Sequence, residues 1–572
     1  MATQQRREVS FNSTAWPKTV PRIIQQIYAN RGVLEHSQID KSISGLLPPL
    51  LMGGIEKTVQ IMADAIEQQQ YVTVAGDYDC DGATGTSVGV LGLELLGLSS
   101  DKVQFIVPNR DKHGYGLSVG LVDDMPKFTQ VIMTVDSGVA SVEGVAHAKA
   151  KGYTVVITDH HLPGDVLPDA DAIVNPNLKG DPFPSKMLAG VGVMFYVLCA
   201  IRIELRKRNH IGGSADLAQL LDLVAVGTLA DLVPLDRNNR ILVEAGLRRI
   251  RFHQAQIGVD VLLSIAKKDP MYLTSTDVGF AIAPRLNAAG RLDDMTLGVK
   301  LLTCKDRDTA VKYAERLEAI NNERKDIQAE MTLSAEAIVE KLPPSDDLSV
   351  VVFDPSWHHG VVGLVASKLK ESMYRPVIAL APAGHGSPEA RGSCRSIPGL
   401  HLRDALALVD TKHPGLMGKF GGHAMAAGLS IRVENIPQFT KAFNDVVKSL
   451  VTPEMLESII LTDGELQPEE MTVEFCKYLE TCGPWGQGFT RPIFDGIFEV
   501  KETKILGGKH IKFELYDVRN GDVHDAIWFF GYKGEEPPNR FRAAYELSLN
   551  VWQGREKCQL MIRHIDAIDS NY

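Results

Sequence analysis

"YVTVAGDYDCDGATGTSVGVLGLELLG", residues 71–97, reads as two elements joined by a charged turn. Residues 71–76 form a β-rich apolar run, the pattern of a buried strand, and residues 83–97 continue as a helix. Between them Asp77, Asp79 and Asp81 stand at alternate positions, and Gly82 follows. Carboxylates that close repel one another unless something positive lies among them. The spacing D-x-D-x-D-G also opens a helix–loop–helix calcium site. That loop follows a helix and requires a bidentate Glu at its twelfth position, which here is Val88. A solvated acidic turn is the other simple explanation, and the rest of the sequence weighs against it.

Outward from this stretch, strand-like runs recur at 102–108, 130–135 and 153–158, separated by helical spacers such as "SVEGVAHAKAKG". Strands alternating with helices predict a parallel α/β sheet. More helices follow to about residue 300. Apolar residues on helical spacing from 308 to 342 predict a long connecting helix that Pro343-Pro344 stops. A second α/β unit begins at "LSVVVF", 348–353. Beyond about residue 455 strands dominate, with Asn520-Gly521 as a hairpin signal, and predict a small β-barrel. "GPWGQGFTRP", 483–492, reads as the turn leading into it.

The chain has 572 residues, enough for three or four domains, with 44% apolar and 23% charged residues, a soluble globular composition. The polar N-terminus lacks the apolar core of a signal peptide. The longest apolar stretch, 187–201, contains two glycines and is too short to cross a bilayer. Seven cysteines without CxxC pairs read as reduced thiols, so a cytoplasmic location is expected and a membrane association is not. A net charge of −11 argues against broad coating of nucleic acid but not against a phosphate substrate held in one cleft.

The acidic turn gains company at the other strand ends. "VIMTVDSG" ends a strand at Asp136, and "TVVITDHH" ends the next at Asp159, His160 and His161. Ligands of an open α/β sheet bind beyond the carboxyl ends of its strands, so these residues share one rim with Asp77, Asp79 and Asp81. Asp231 is the lone charge in "LVAVGTLADLVPL", where a carboxylate is costly unless paired, metal-bound or serving as a cap. Together Asp77, Asp79, Asp81, Asp136 and Asp231 bring about −5 to one pocket, which two divalent cations nearly cancel. Oxygen donors with a single imidazole suit Mg²⁺ or Mn²⁺ rather than zinc.

Candidate phosphate contacts are less specific. "PNRDKHGYGLS", 108–118, sets Arg110, Lys112 and His113 just past the second strand, as phosphate ligands or as a solvated loop. "PRLNAAGR" offers Arg285 and Arg291, as guanidinium forks or as incidental residues at a helix end. The glycine-rich "GSCRS", 392–396, and "GGHAMAAG", 421–428, let backbone approach an anion, or simply pack tightly.

"GDYDCDG", "TVDSG", "TDHHLPG" and "GTLADLVPL" resemble, in order, the four metal motifs of the DHH phosphoesterases. "APRLNAAGRLDD", "WHHGVVGLVASKL", "GSCRSIPGLHLRDAL" and "KFGGHAMAAGLS" resemble later motifs of the single-stranded-DNA exonucleases in that superfamily, nearly end to end. Cys80 stands where alanine is commoner and Ser137 where asparagine is usual, and neither change removes a ligand.

The resemblance implies an α/β fold with five segments. These are an N-terminal helical segment (1–69), a DHH catalytic domain (70–300), a connecting helix (301–344), a DHHA1-type substrate domain (345–452) and an OB-fold barrel (453–572). It implies 5′→3′ hydrolysis of single-stranded DNA to 5′-mononucleotides by two metals, in repair and recombination. Asp77, Asp79 and Asp136 would hold one cation, and Asp81, Asp136, His160 and Asp231 the other. Asp159 and His161 would orient the liganded imidazole and the reacting phosphate. Arg110, Arg285, Arg291, Ser393, Arg395 and Ser396 would grip the 5′-terminal phosphate and backbone, with His423 near the scissile phosphate. Barrel aromatics Tyr516, Trp528, Tyr532 and Trp552 are candidates for stacking on bases, or for core packing. A monomer is implied, working with a single-strand-binding protein and a helicase. The competing readings are a phosphoesterase of small substrates and a non-catalytic replication scaffold. Length and the extra barrel weigh against the first, and the filled ligand positions against the second.

Overall fold

The computed structural model describes residues 3–9, 16–341, 346–384 and 386–568. They form two compact units, one of residues 6–320 with 462–572, the other of residues up to 5 with 321–461. The N-terminal segment contains helices Arg22–Ala29 and Ile55–Glu67, several 3₁₀ turns and a short strand, β1 (Thr3–Arg6).

The larger unit is built on a parallel sheet of β2 (Val72–Ala75), β3 (Val103–Ile106), β4 (Val131–Thr134), β5 (Thr154–Thr158) and β6 (Ala172–Val174). The strand order is β3-β2-β4-β5-β6. Every residue of β2 and β4 is buried, as expected of strands covered by helices on both faces. The chain runs outward from β2 to β3 and then returns past β2 to β4, so its direction of winding reverses between β2 and β4. That reversal opens a crevice at the carboxyl ends of the two strands. The helix Cys80–Leu95 leaves β2 through the acidic turn and is buried almost throughout.

The smaller unit is a mixed sheet of β7 (Val350–Phe353), β8 (Val377–Pro382), β9 (Glu389–Arg395), β10 (Phe420–Gly422) and β11 (Ala426–Arg432). Its order is β10-β11-β9-β8-β7, and only β7 and β8 run parallel. The connecting helix spans Arg307–Glu340, and Pro343-Pro344 lies outside the described residues. β12 (Ile459–Thr462) pairs with β1.

The C-terminal strands β13 (Phe494–Leu506), β14 (His510–Asp517), β15 (Val523–Trp528), β16 (Arg540–Trp552) and β17 (Arg555–Ala567) close a barrel in the order β13-β14-β15-β17-β16. With β15 and β17 parallel and the other pairs antiparallel, this is the OB-fold. The hairpin glycine, Gly521, sits between β14 and β15 at φ +78°.

The barrel shares its core with the sheet region. One continuous cluster of buried side chains includes Leu229 and Leu235, Trp485 and Phe489, and the barrel residues Phe494, Phe498 and Tyr545. In the lead-in turn Trp485 stacks on Phe489 at 5.2 Å, and Leu235 N donates to Gln487 O at 2.8 Å. The segment that carries Asp231 is thereby braced from the barrel side. Among the described residues no helix is long and apolar enough to cross a membrane.

Candidate metal centre and phosphate contacts

Backbone geometry fixes the acidic turn. Asp79 caps the helix Cys80–Leu95, its Oδ1 accepting from Gly82 N at 2.9 Å, and Asp77 Oδ1 accepts from Tyr78 N at 2.8 Å. Asp81, on the first turn, is clamped by the N-terminus of the helix Gly190–Lys207. Its oxygens accept from Gly190 N at 2.7 Å and Val191 N at 2.9 Å, and each keeps a further lone pair. Gly190 is required there, because a Cβ would lie 2.5 Å from Asp136 Cβ. Asp136 itself, one residue past "VIMTV", holds φ at +60°, a sparsely populated conformation that turns its carboxylate into the crevice.

Three groups of donors converge: Asp77, Asp79 and Asp136; Asp81, His160 and Asp231; and Asp136, His160 and His161. Within each group the ligand atoms lie within 4.8 Å of one another. His160 Nε2 is 3.0 Å from Asp136 Oδ1, 3.6 Å from Asp231 Oδ2 and 3.9 Å from Asp81 Oδ2, so Asp136 belongs to both sides of the cluster. Asp136 Oδ1 is buried and accepts no hydrogen bond among the described residues.

The electrostatics are those of a site with too much negative charge. Burial, then the neighbouring carboxylates, pushes Asp77, Asp136 and Asp231 well above the usual carboxylate range and Asp81 up to about 7. Such crowding is tolerable only when protons or cations neutralise it. Oxygen-rich donors with one imidazole fit hard divalent cations, and the residues present therefore fit two such ions.

Asp159 behaves differently. Burial would raise it, yet hydrogen bonds from His161 Nδ1 (2.8 Å) and from Val139 N (2.9 Å) hold it below the usual range. Burial also opposes the charge on His161, but the Asp159 contact lifts that imidazole to about 9. Asn177 Nδ2 donates to His160 O at 2.5 Å and Asn175 Nδ2 to His161 O at 2.8 Å, pinning the backbone of both histidines. Neither asparagine stands out in the sequence.

The structure separates the cations of the 108–118 loop. His113 pairs with Asp124 at 2.9 Å and Lys112 pairs with the same carboxylate. Arg110 instead lies 4.2 Å over the Tyr78 ring, with Nε 3.4 Å from Gly290 O. The helix Ala283–Leu292, which carries Arg285 and Arg291, packs on the acidic turn. There Asn287 Oδ1 accepts from Cys80 N at 2.9 Å, and a Cβ on Gly290 would meet Tyr78 O at 1.6 Å. Arg285 is buried, 2.7 Å from Glu318 Oε2, and donates to Ala281 O.

In the smaller unit, Ser393 and Arg395 end β9. Arg395 donates to Ser367 Oγ at 3.0 Å, Ser393 Oγ at 2.9 Å and Cys394 O at 2.8 Å, and burial lowers its pKa. Ser396 turns inward, its hydroxyl donating to Leu400 O at 2.8 Å. His423 lies in the β10–β11 hairpin, whose Ala426 is in register with Arg395, so both stand at one end of the sheet.

Of the barrel aromatics, Tyr516 and Trp552 are exposed, whereas Trp528 and Tyr532 pack on the core. Phe529 and Phe530, which sequence reasoning passed over, are exposed and flank His510.

Profiles of three domain families match the chain: "DHH family, N-terminal domain" over residues 71–228, "DHHA1 domain" over 346–449 and "RecJ OB domain" over 462–564. The chain is 44% identical to the single-stranded-DNA-specific exonuclease RecJ of Salmonella typhimurium, over 98% of this chain and 99% of that protein. The crystal structure of Thermus thermophilus RecJ in complex with Mn²⁺ is similar at a TM-score of 0.79 and 26% identity. The match covers 96% of this chain and 76% of that one. The Mg²⁺ complex of the same enzyme gives 0.74, at 26% identity, over 96% and 75%.

Proposed function

The chain belongs to the RecJ family of single-stranded-DNA-specific exonucleases, and from that premise we propose that it hydrolyses single-stranded DNA from the 5′ end, releasing 5′-mononucleotides. The observation that carries this reading is the double cluster of carboxylates with one shared aspartate, Asp136.

Asp77, Asp79 and Asp136 would hold one Mg²⁺ or Mn²⁺, and Asp81, Asp136, His160 and Asp231 a second. Bound there, the pair would supply Lewis-acid activation of water and neutralise charge on the phosphate and the leaving oxygen. The chain's own residues set the frame for that chemistry. The helix N-terminus at Gly190 aims Asp81, and Asn175 and Asn177 hold the two histidines by their carbonyls. Asp159 accepts from Nδ1 of His161 and so orients that ring at the rim where the phosphate would react. Arg110, Arg285, Arg291, Ser393, Arg395 and His423 are the proposed contacts to the 5′-terminal phosphate and backbone, and Ser396, whose hydroxyl donates to Leu400 O, would hold the turn beside them. A cytoplasmic monomer acting in repair and recombination, beside a single-strand-binding protein and a helicase, completes the proposal.

The barrel's shared core with the catalytic sheet supports a polymer rather than a small phosphate ester as substrate, since a strand leaving the crevice needs a further surface. The test is digestion of strands labelled at either end, with a duplex control, in Mn²⁺. Mononucleotides should appear at once from a 5′ label and late from a 3′ label, and duplex should persist. Early release of the 3′ label would overturn the polarity.

A further inference from the structure

We propose that Tyr115 is a positioning residue that fixes the ring of His161 towards the reacting phosphate. This rests on the exonuclease reading above. Tyr115 sits on a short loop between Gly114 and Gly116, whose φ values of +75° and +71° give the loop a path that other residues would resist. The loop carries Tyr115 to the edge of the metal centre, where its hydroxyl is 3.2 Å from His161 Nε2 and 3.4 Å from Nδ1. The tyrosine ring is gripped on two sides. It meets Tyr78 nearly edge-on, with centroids 6.2 Å apart at 73°, and His161 likewise at 5.9 Å and 80°.

His161 needs such a support. Its side chain is 34% exposed, and the Asp159 bond to Nδ1 restrains one nitrogen while leaving the far side of the ring open. The phenol completes a chain from Val139 N through Asp159 and His161 to Tyr115. A purely structural tyrosine would bury its ring, but this one remains 49% exposed, so the packing it gains is small for its size. Its hydroxyl reaches the histidine adjacent to a metal ligand. Arg110, lying on Tyr78, extends the same wall, so Tyr115 stands between the phosphate-directed cation and the DHH histidines.

A residue that acts through His161 should affect turnover rather than binding. The experiment compares the wild-type chain, Tyr115→Phe and Tyr115→Ala on a 5′-phosphorylated single strand in Mn²⁺, with Mn²⁺ affinity measured separately by electron paramagnetic resonance. Losing one hydrogen bond should lower kcat of Tyr115→Phe about tenfold with KM nearly unchanged. Tyr115→Ala should lose more, and Mn²⁺ affinity should match wild type in both. A Phe variant with wild-type kcat would show that only the ring matters. A loss confined to KM, or weakened Mn²⁺ binding, would equally overturn the role. If the wild-type chain itself fails to cleave the strand, the exonuclease reading falls and this role with it. An active wild type beside an unaffected Phe variant removes Tyr115 alone.

Discussion

The carboxyl-edge rim of the parallel sheet and the end of β9 in the mixed sheet are opposites in charge. Asp77, Asp81, Asp136 and Asp231 crowd together, their pKa values driven up by burial and by one another, and their protein partners are backbone N–H groups and imidazoles. Arg395 is only partly buried, and among the described residues its donors reach two hydroxyls and a carbonyl rather than a carboxylate. A buried charge left without its counter-charge is costly in either sign. On the proposed reading, divalent cations complete the first region and a phosphate of the strand the second. Arg285 supplies the contrast within the same set of proposed phosphate contacts, because Glu318 already compensates it at 2.7 Å.

The sharpest break of this comparison is Asp136→Ala. Asp136 is shared by both halves of the carboxylate cluster, so its loss should remove both ions and cut kcat by at least about a thousandfold. Chelation of the wild-type chain should do the same, reversibly, on addition of Mg²⁺ or Mn²⁺. Mn²⁺ should raise the Tm of the wild type by mass action and leave that of Asp136→Ala unmoved. Turnover near wild type in Asp136→Ala would dissolve the two-ion assignment.

The two arginines come next. A charge-assisted hydrogen bond is worth about 1.5–3 kcal/mol, so Arg395→Ala should weaken binding of a 5′-phosphorylated strand roughly tenfold to a hundredfold. Arg285→Ala should cost less, about fivefold to tenfold, since a phosphate must compete with Glu318 for that guanidinium. The measurement is kcat/KM on matched strands ending in 5′-phosphate or 5′-hydroxyl. A mutant that keeps the wild-type preference ratio does not read the end. If Arg285→Ala proves the worse of the two, the ion pair is no guide to which arginine carries the phosphate.

Much of this was legible in the sequence because the fold delivers strand ends to one rim, and apolar runs ending in Asp77, Asp136 and Asp159 are visible as text. What was not legible is what tertiary packing supplies. The donors to Asp81 come from Gly190 and Val191, more than a hundred residues away, at a helix N-terminus whose sequence carries no charge. Asn175, Asn177, Asn287 and Tyr115 are ordinary polar residues until the crevice closes around them. The second sheet read as α/β, but its antiparallel majority depends on which strands pair, and hydrophobic runs do not encode that. Strand parity, by contrast, could have sorted the barrel aromatics. Trp528 shares the phase of buried Ala526 and points inward, while Phe529 and Phe530 lie past the strand's end.

That distinction yields the smallest expected effect. Phe530 holds φ at +57°, an unfavourable backbone for an aromatic residue, and its N–H donates to His510 Nδ1 at 2.9 Å. Lys509 lies 5.5 Å from its ring, and Lys504 stands directly opposite Lys512 on the adjoining strands. Like charges facing across a ladder are unfavourable unless an anion lies near them. Exposed rings beside such lysines have the makings of a stacking platform for single-stranded DNA. The double substitution Phe529→Ala with Phe530→Ala should weaken binding of long single strands about threefold to tenfold, and hydrolysis of short oligomers should barely change. Trp528→Ala should instead lower the Tm, because its ring packs on the barrel core. Equal losses on long and short strands from the Phe pair would mean that these rings only support the barrel. Phe529 and Phe530 would then join Trp528 as packing residues, and the search for the barrel's contact with DNA would turn to Tyr516 and Trp552, the other exposed aromatics.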